Sequence, residues 1–459
     1  MEWEDARVYK LFYQKLLNPF FENILKKRQM LKYKAFLEES QWWPREKLLE
    51  YQWNELTKLL HHCHYNVPYW KEKFDQLNIS WTDIKSYEDF LKLPITTKDD
   101  IRKHKERMLA RNYIGKTWSK HTGGSTGEPM ELDYTPESYD WRVAISKRGY
   151  AWTGCEDGMK QFYLWGVPLK KQSAIKRLKE NIYYRIHRQR YFNCYEFDHK
   201  AKQRCLKTLN AYKPEIIVGY TNPLYALAKF ISEEGRLNYQ PKAVISAAEK
   251  LHPIQREKIK SVFNCDVFDT YGCREFMLIA AEDKEHDGMY LSMENLYVEI
   301  IKDNGQPAQP GEKGHLIITD LHNYGMPFIR YRIGDMALAM EQTPAKSGRG
   351  LLKIADVVGR SLDMITTKEG KEIPGEFFIR VMRDKRGIDK FRVIQEKEEE
   401  LIVEMIKNSY FDNKQFHEIK ETIGRMVGPS MQVDYQFVNQ LPLTQTGKFR
   451  VTVSKIQRG

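Results

Sequence analysis

The sequence contains no run of about eighteen consecutive apolar residues, the least a helix needs to cross a bilayer, so no membrane span is predicted. Cysteine is scarce: Cys63, Cys155, Cys194, Cys205, Cys265 and Cys273 are scattered without paired spacing. That argues against a disulfide framework and suits a reducing, cytoplasmic setting. The first residues, Met1-Glu2-Trp3-Glu4-Asp5, are acidic and have no apolar core of the kind a secretory signal needs. Long Lys/Arg blocks and Arg-Gly repeats are also missing. The net charge of +12 would suit nucleic acid or an anionic membrane, but the 74 basic and 62 acidic residues are interspersed, and an anionic small substrate with a mildly basic surface explains the balance as well. What remains, 41% hydrophobic and 30% charged residues over 459 positions, describes a globular protein too long for one core, so two or more domains are expected.

The chemistry centres on His121-Thr122-Gly123-Gly124-Ser125-Thr126-Gly127-Glu128-Pro129, flanked by Lys116, Lys120 and the strand-forming Met130-Glu131-Leu132-Asp133-Tyr134. Glycines let backbone N–H groups approach an anion and the hydroxyls add donors, which is the make-up of a phosphate cradle. No Gly-Lys-Ser/Thr follows, so the run is not a Walker A loop. Gly123 to Gly127 also spells G-x-S-x-G, which in a hydrolase would set Ser125 on a strand-to-helix elbow. Pro129 and the residues after it do not open a helix, so the elbow ranks lower. A plain Gly-Ser surface turn is the third reading.

From Tyr9 to about Leu60 the pattern is helical, with Leu11, Leu16, Leu17, Phe20, Phe21, Ile24 and Leu25 at three- and four-residue steps between lysines. Such a helix is expected to pack on its own protein; lying on a membrane surface is the alternative. His61, His62, Cys63 and His64 are consecutive, point in different directions on a helix, and read as a helix end rather than a metal site. Cys194, His199 and Cys205 lack a fourth ligand and read as loop then helix. Thr96 or Thr97 is expected to cap a helix opened by Asp99 and Asp100.

Three apolar runs, Ile216–Gly219, Ala243–Ser246 and Val267–Gly272, alternate with helical intervals Pro223–Glu234 and Pro253–Phe263. That order predicts a parallel sheet covered on both faces, with ligands bound beyond the carboxyl ends of its strands. Ser246-Ala247-Ala248-Glu249-Lys250 and Thr270-Tyr271-Gly272-Cys273-Arg274-Glu275 occupy those ends. Glu249 taken alone reads as a helix-capping acid. Tyr271, Arg274 and Glu275 offer a ring for a base, a cation for phosphate and a carboxylate for Mg²⁺. Beyond them, Tyr297–Ile301 and His315–Thr319 around Asp303-Asn304-Gly305 predict a hairpin. In Arg330-Tyr331-Arg332-Ile333-Gly334-Asp335, the acid is either turn chemistry or an acceptor for a ribose diol. After about Arg360 the chain reads as a compact α+β unit, with strands near 391–394, 401–404 and 433–437 and a helix over 413–426.

In this order the pieces resemble the adenylate-forming superfamily, within it the phenylacetate-CoA ligase family, and most of all its CapK-like branch, associated with capsular polysaccharide biosynthesis. Glu39-Ser40-Gln41-Trp42-Trp43 and Asn66-Val67-Pro68-Tyr69-Trp70 are similar to that branch's N-terminal landmarks, and five later motifs follow in family order. The resemblance implies an α/β fold: a large N-terminal adenylation domain over 1–359, built of helix-covered, mainly parallel sheets with a β-rich subdomain and a helical part at 1–92. A small mobile α+β C-terminal domain over 360–459 carries the lysine motif.

It further implies that Thr122 to Gly127 grip the tail of ATP and that Ala248 and Glu249 line the adenine. Tyr271 would stack on the base, within a segment that includes Gly272 and Arg274. Glu275 would bind Mg²⁺, and Asp335 would hold the ribose hydroxyls. Arg360 would precede the interdomain hinge, and Lys448, in Pro442-Leu443-Thr444-Gln445-Thr446-Gly447-Lys448, would be the lysine that the small domain delivers. The pattern departs from the family at Glu128, where a lysine is usual, at Arg274, where Thr is usual, and at Leu362, which replaces a hinge acid. Ala280 to Leu291 has no cysteine, so the metal knuckle of some relatives is not expected.

The expected activity is activation of a carboxylic acid as acyl-AMP, with transfer to CoA or to an amine or sugar acceptor. Aromatics over Tyr163–Pro168 and Tyr220–Pro223 would admit an aryl acid. Contact with a membrane surface and formation of a homodimer stay open. So do two other classes, a serine hydrolase using Ser125 and a non-catalytic or membrane-associated assembly factor that keeps the fold.

Overall fold

A computed structural model describes residues 2–122, 130–166, 174–194, 197–360, 364–369, 372–382, 385, 387–442 and 450–456. Within them the chain forms two compact units, Met1–Val358 and Gly359–Gly459.

In the first unit a hairpin of β1 (Trp118–Thr122) and β2 (Met130–Tyr134) flanks the glycine-rich run, with Thr122 opposite Met130. The strands β3 (Gln161–Trp165), β4 (Gln189–Asn193), β5 (Ile216–Tyr220), β6 (Ala243–Ala247) and β7 (Asp266–Cys273) pair in parallel. β8 (Met277–Ala281) and β9 (Met289–Leu291) then continue the sheet antiparallel. Next come β10 (Leu296–Ile301), β11 (Lys313–Asp320), β12 (Tyr331–Leu338), β13 (Lys353–Ile354) and β14 (Asp356–Arg360). The large sheet runs β13-β9-β8-β7-β6-β5-β3-β4 and a second one β10-β11-β12-β14.

The parallel strands are apolar throughout because both faces are covered. Ile217, Val244 and Val267 pack against the helices His199–Tyr212, Thr221–Glu234 and Pro253–Phe263. Their neighbours Ile216, Val218, Ala243, Ile245 and Phe268 pack on the opposite side with Cys155 and Met159. The two-residue period of the sequence thus sorts into two cores. The expected hairpin also forms, with Tyr297 opposite Thr319 and Ile301 opposite His315. Gly305 supplies the positive φ of +80° in its turn.

Thr97 caps the helix Lys98–Met108 in a reciprocal box with Asp100, while Thr96 hydrogen-bonds to the Ile329 carbonyl through its hydroxyl at 2.7 Å. The histidine cluster ends the helix Arg45–Asn66. Cys63 is fully buried, the His62 ring bonds to the Tyr324 carbonyl at 2.9 Å, and His61 and His64 pack on Trp81 and Phe74. Among the described residues no group of three or more His, Cys, Asp or Glu could hold a metal by itself, and no helix is long and apolar enough to cross a membrane.

The N-terminal part is the expected helix, with one face packed on the protein. It stays helical to Leu25, the helix Glu2–Phe12 running on through wider turns at Tyr13–Leu17 and Phe20–Leu25, and then reverses at Lys27 with φ of +52°. Leu11, Leu16, Phe20, Ile24 and Leu25 are exposed.

In the second unit β15 (Met364–Thr366) and β16 (Glu372–Pro374) form a hairpin. A four-stranded sheet combines β17 (Ile388–Lys397), β18 (Glu400–Lys407), β19 (Gln432–Phe437) and β20 (Thr452–Ser454) in the order β19-β18-β17-β20. The helix Asn413–Val427 buries Ile419, Ile423 and Val427, an i, i+4, i+8 stripe, in the same core as Val393, Leu401 and Val403.

Candidate active site

The carboxyl ends of β5, β6 and β7 are tied together by hydroxyls. Thr221 Oγ1 lies 2.6 Å from Ser246 Oγ, and Thr270 Oγ1 donates to the Ser246 carbonyl at 2.8 Å. Just beyond β6, Ala248 takes a left-handed φ of +68°, unusual for a residue with a Cβ. The turn sends the Glu249 carboxylate back to accept the Asn222 N–H at 2.8 Å, in the first turn of the helix Thr221–Glu234. Negative charge there is stabilised by the helix dipole, so this carboxylate orders the loop.

β7 extends past its parallel neighbours into the pairing with β8. Gly272 sits where the register shifts, and a Cβ there would come within 2.0 Å of the Met277 carbonyl oxygen, so only glycine fits. The irregularity lies between two functional candidates. Tyr271 donates its hydroxyl to Asp335 Oδ2 at 2.7 Å, joining β7 to β12 across 64 residues of sequence. Glu275, only 6% exposed, lies with its Oε1 3.5 Å from the Tyr331 hydroxyl, and the same hydroxyl is 3.8 Å from Met130 Sδ. Met130 is the first residue after the glycine-rich run, so Glu275, the Tyr271–Asp335 pair and the base of that run meet around Tyr331.

The electrostatics follow from this burial. Burial first, then the charge of Asp335, pushes the Tyr271 hydroxyl well above its ordinary range. Burial and then Glu275 do the same to Tyr331 and to the Cys273 thiol. Lys120, on β1, moves the other way: burial, then Arg142 and Arg274, lower it to about 8. Its ammonium sits 4.6 Å from the Tyr134 ring centre and 5.9 Å from that of Tyr139. In each case the neighbouring charges, carboxylates beside the phenols and the thiol and arginines beside the lysine, add to the effect of burial.

Glu275 is the carboxylate that could contact a metal ion. A single carboxylate completed by phosphate oxygens and water is how Mg²⁺ is usually held, so this donor set fits that ion. Gly123, Gly124, Ser125, Thr126, Gly127 and Lys448 lie outside the described residues. For Thr122 and Arg360 the backbone is described, at the ends of β1 and β14. Arg274 is exposed at the rim. Reading the sequence left Tyr331 and Met130 without roles; both stood beside quoted motifs, and burial is what singles them out.

Residues 365–455 match the model of the CapK C-terminal domain family. The chain is 25% identical over 421 residues to Protein CapK of Staphylococcus aureus, covering 89% of this chain and 90% of the relative. It is 26% identical over 335 residues to a phenylacetate-coenzyme A ligase of Aromatoleum evansii, covering 70% and 72% of the two chains. Its fold is similar to that of a 2-hydroxyisobutyryl-CoA ligase crystallised in the postadenylation state with an acyl-AMP, with a TM-score of 0.68, 18% identity and 88% of each chain covered. Along most of its length the chain is thus similar to Protein CapK and to phenylacetate-coenzyme A ligases, with residues 365–455 matching the CapK C-terminal domain.

Proposed function

We propose that the protein is an ATP-dependent ligase that activates a carboxylic acid as its acyl-adenylate and passes the acyl group to CoA, or to an amine or sugar acceptor in surface-polysaccharide synthesis. The observation that carries this reading is the meeting of Glu275, the Tyr271–Asp335 pair and the end of the glycine-rich run around Tyr331. These pieces stand at the carboxyl edge of a parallel sheet, where such folds bind nucleotides.

A free carboxylate does not condense with a thiol or amine at useful rates, and AMP supplies the leaving group. The acid's oxygen attacks the α-phosphorus, an acyl–phosphate bond forms, the bond to the bridging oxygen breaks and pyrophosphate leaves. Thr122 to Gly127 would offer N–H and hydroxyl donors to the departing oxygens. Asp335 would accept from the ribose diol, with Tyr271 fixing the carboxylate's orientation through its hydroxyl, and Ala248 would bring backbone alongside the base. Glu275 would hold Mg²⁺, which supplies charge neutralisation for the phosphates. Lys448 would hold the acid against the α-phosphate, and Arg360 would mark the hinge before the small domain. The Trp165 and Tyr220 rings, with centres 4.5 Å apart at the carboxyl ends of β3 and β5, favour an aromatic acid. A hydrolase elbow needs strand, turn and helix, whereas Ser125 lies between two antiparallel strands.

Acid-dependent ATP–pyrophosphate exchange, measured over a panel of aryl and alkyl acids, tests the proposal. Exchange should appear with at least one acid and fall by about 10²-fold or more in Lys448→Ala; no exchange with any acid would overturn it.

Lys120 adds a pH dependence. With its pKa lowered to about 8 by burial and two arginines, it loses its proton above that pH in the free protein. A bound polyphosphate favours the charged form, so the complex binds more protons than the free protein. ATP affinity should therefore hold below about 8 and fall, by up to about tenfold per pH unit, above it. Lys120→Arg keeps its charge and should flatten that profile, which calorimetric titration of ATP across pH would reveal.

A further inference from the structure

The N-terminal segment has its polarity inside out. Asn18 and Glu22 are buried, 3% and 4% exposed, while Leu16 and Ile24 are 60% and 61% exposed. The inner side is fixed by specific contacts. Tyr9 donates to the Ile186 carbonyl at 2.6 Å, Gln14 Nε2 to the Asp157 carbonyl at 3.0 Å, and Tyr13 bonds to His187. Lys10 pairs with Glu156 at 2.6 Å and Arg188 lies over the Tyr9 ring. With Tyr9, Tyr13 and Phe21 turned toward the protein, Val8, Leu11, Phe12, Leu16, Phe20, Ile24 and Leu25 are left exposed.

A second element extends the patch. The helix Ala174–Ile186 exposes Ile175, Leu178 and Ile182 at helical spacing, and its Tyr183 ring lies 5.5 Å from Phe21. Monomeric proteins rarely leave this much contiguous apolar surface to water, and such patches mark binding faces.

Charge identifies the occupant. Between Arg7 and Gln29 the basic residues are Arg7, Lys10, Lys15, Lys26, Lys27 and Arg28, and the single acid, Glu22, is buried 3.4 Å from Arg28. Arg7, Lys15, Lys26 and Lys27 are exposed among the apolar residues, as are Lys179 and Arg185 on the neighbouring helix. Pairing this face with a second copy would set like charges against each other. A layer of anionic headgroups over acyl chains satisfies both the cations and the apolar side chains.

We propose that the outer face of residues 7–27 together with the helix Ala174–Ile186 is a docking surface for an anionic lipid bilayer, on which the protein sits peripherally.

Flotation of the full chain with vesicles tests this, using phosphatidylcholine alone against an equimolar mixture with phosphatidylglycerol. Binding is expected to the mixed vesicles, to weaken as salt is raised, and to be at least about tenfold lower on phosphatidylcholine alone. Replacing Leu16, Phe20 and Ile24 together by Gln should reduce partitioning at least about tenfold, because their burial in the interface is lost. Each of Lys15→Gln, Lys26→Gln and Lys27→Gln should reduce it about fivefold. These side chains are exposed, so the melting midpoint should not move. As an independent readout, Leu16→Trp should shift its fluorescence to the blue with mixed vesicles. Equal binding to both lipids, no binding, or Gln variants that float like the wild type would overturn the proposal. So would a dimer in lipid-free solution that the Gln variants dissolve, because the face would then belong to a second copy.

Discussion

Glu275→Gln is expected to lower acid-dependent ATP–pyrophosphate exchange by about 10²–10³-fold, the loss typical of removing one charge-stabilising group from an acyl- or phosphoryl-transfer site. The substitution keeps the side chain's size and removes its negative charge. Folded stability should hold, because the isosteric amide fills the same buried space. Tyr331, 3.5 Å away, can donate to the amide oxygen as it does to the carboxylate. The loss should therefore appear in exchange, with a raised magnesium requirement, at an unchanged urea midpoint. Exchange within about twofold of wild type would remove Glu275 from the proposed site.

Arg148→Ala should have the largest effect on stability, about 3–5 kcal/mol. Arg148 and Glu294 are 1% or less exposed and bond in a bidentate pair, Nη1 to Oε1 at 2.5 Å and Nη2 to Oε2 at 3.1 Å. Ser40 donates to the same carboxylate at 2.6 Å. The pair thereby links the helices Met30–Ser40 and Pro136–Ala151 to the turn between β9 and β10. Truncating the arginine leaves a carboxylate in a dry interior with one hydroxyl for company. Arg148→Lys should recover only part of the loss, since an ammonium cannot reproduce the fork. The double change Arg148→Met with Glu294→Leu should recover most of it, because the desolvation of both charges disappears together. Urea unfolding of the four proteins measures all of this. A loss below about 1 kcal/mol in Arg148→Ala would mean that water reaches the site.

The sequence exposed the local elements and the order of the motifs. Ile216–Gly219 and Ala243–Ser246 are apolar at every position because a parallel sheet is covered twice, and that is visible without coordinates. The small unit's sheet and its helix at Asn413–Val427 were legible for a similar reason, since their stripes repeat at two and at about four residues. Motif order led to the resemblance, and with it to the residues proposed for the site.

Which side chains meet was decided by tertiary structure. That Tyr271 reaches Asp335, that Tyr331 stands between Glu275 and Met130, and that Lys120 is pressed by Arg142 and Arg274 follow from how β1, β7 and β12 are brought together. The N-terminal stripe makes the same point: its periodicity fixed that it would be amphipathic, but not which face would turn outward. A period records only the spacing along one element. The direction that element faces is set by the shapes and charges of distant segments packed against it, here Glu156, Asp157 and His187, and one-dimensional spacing carries no trace of them.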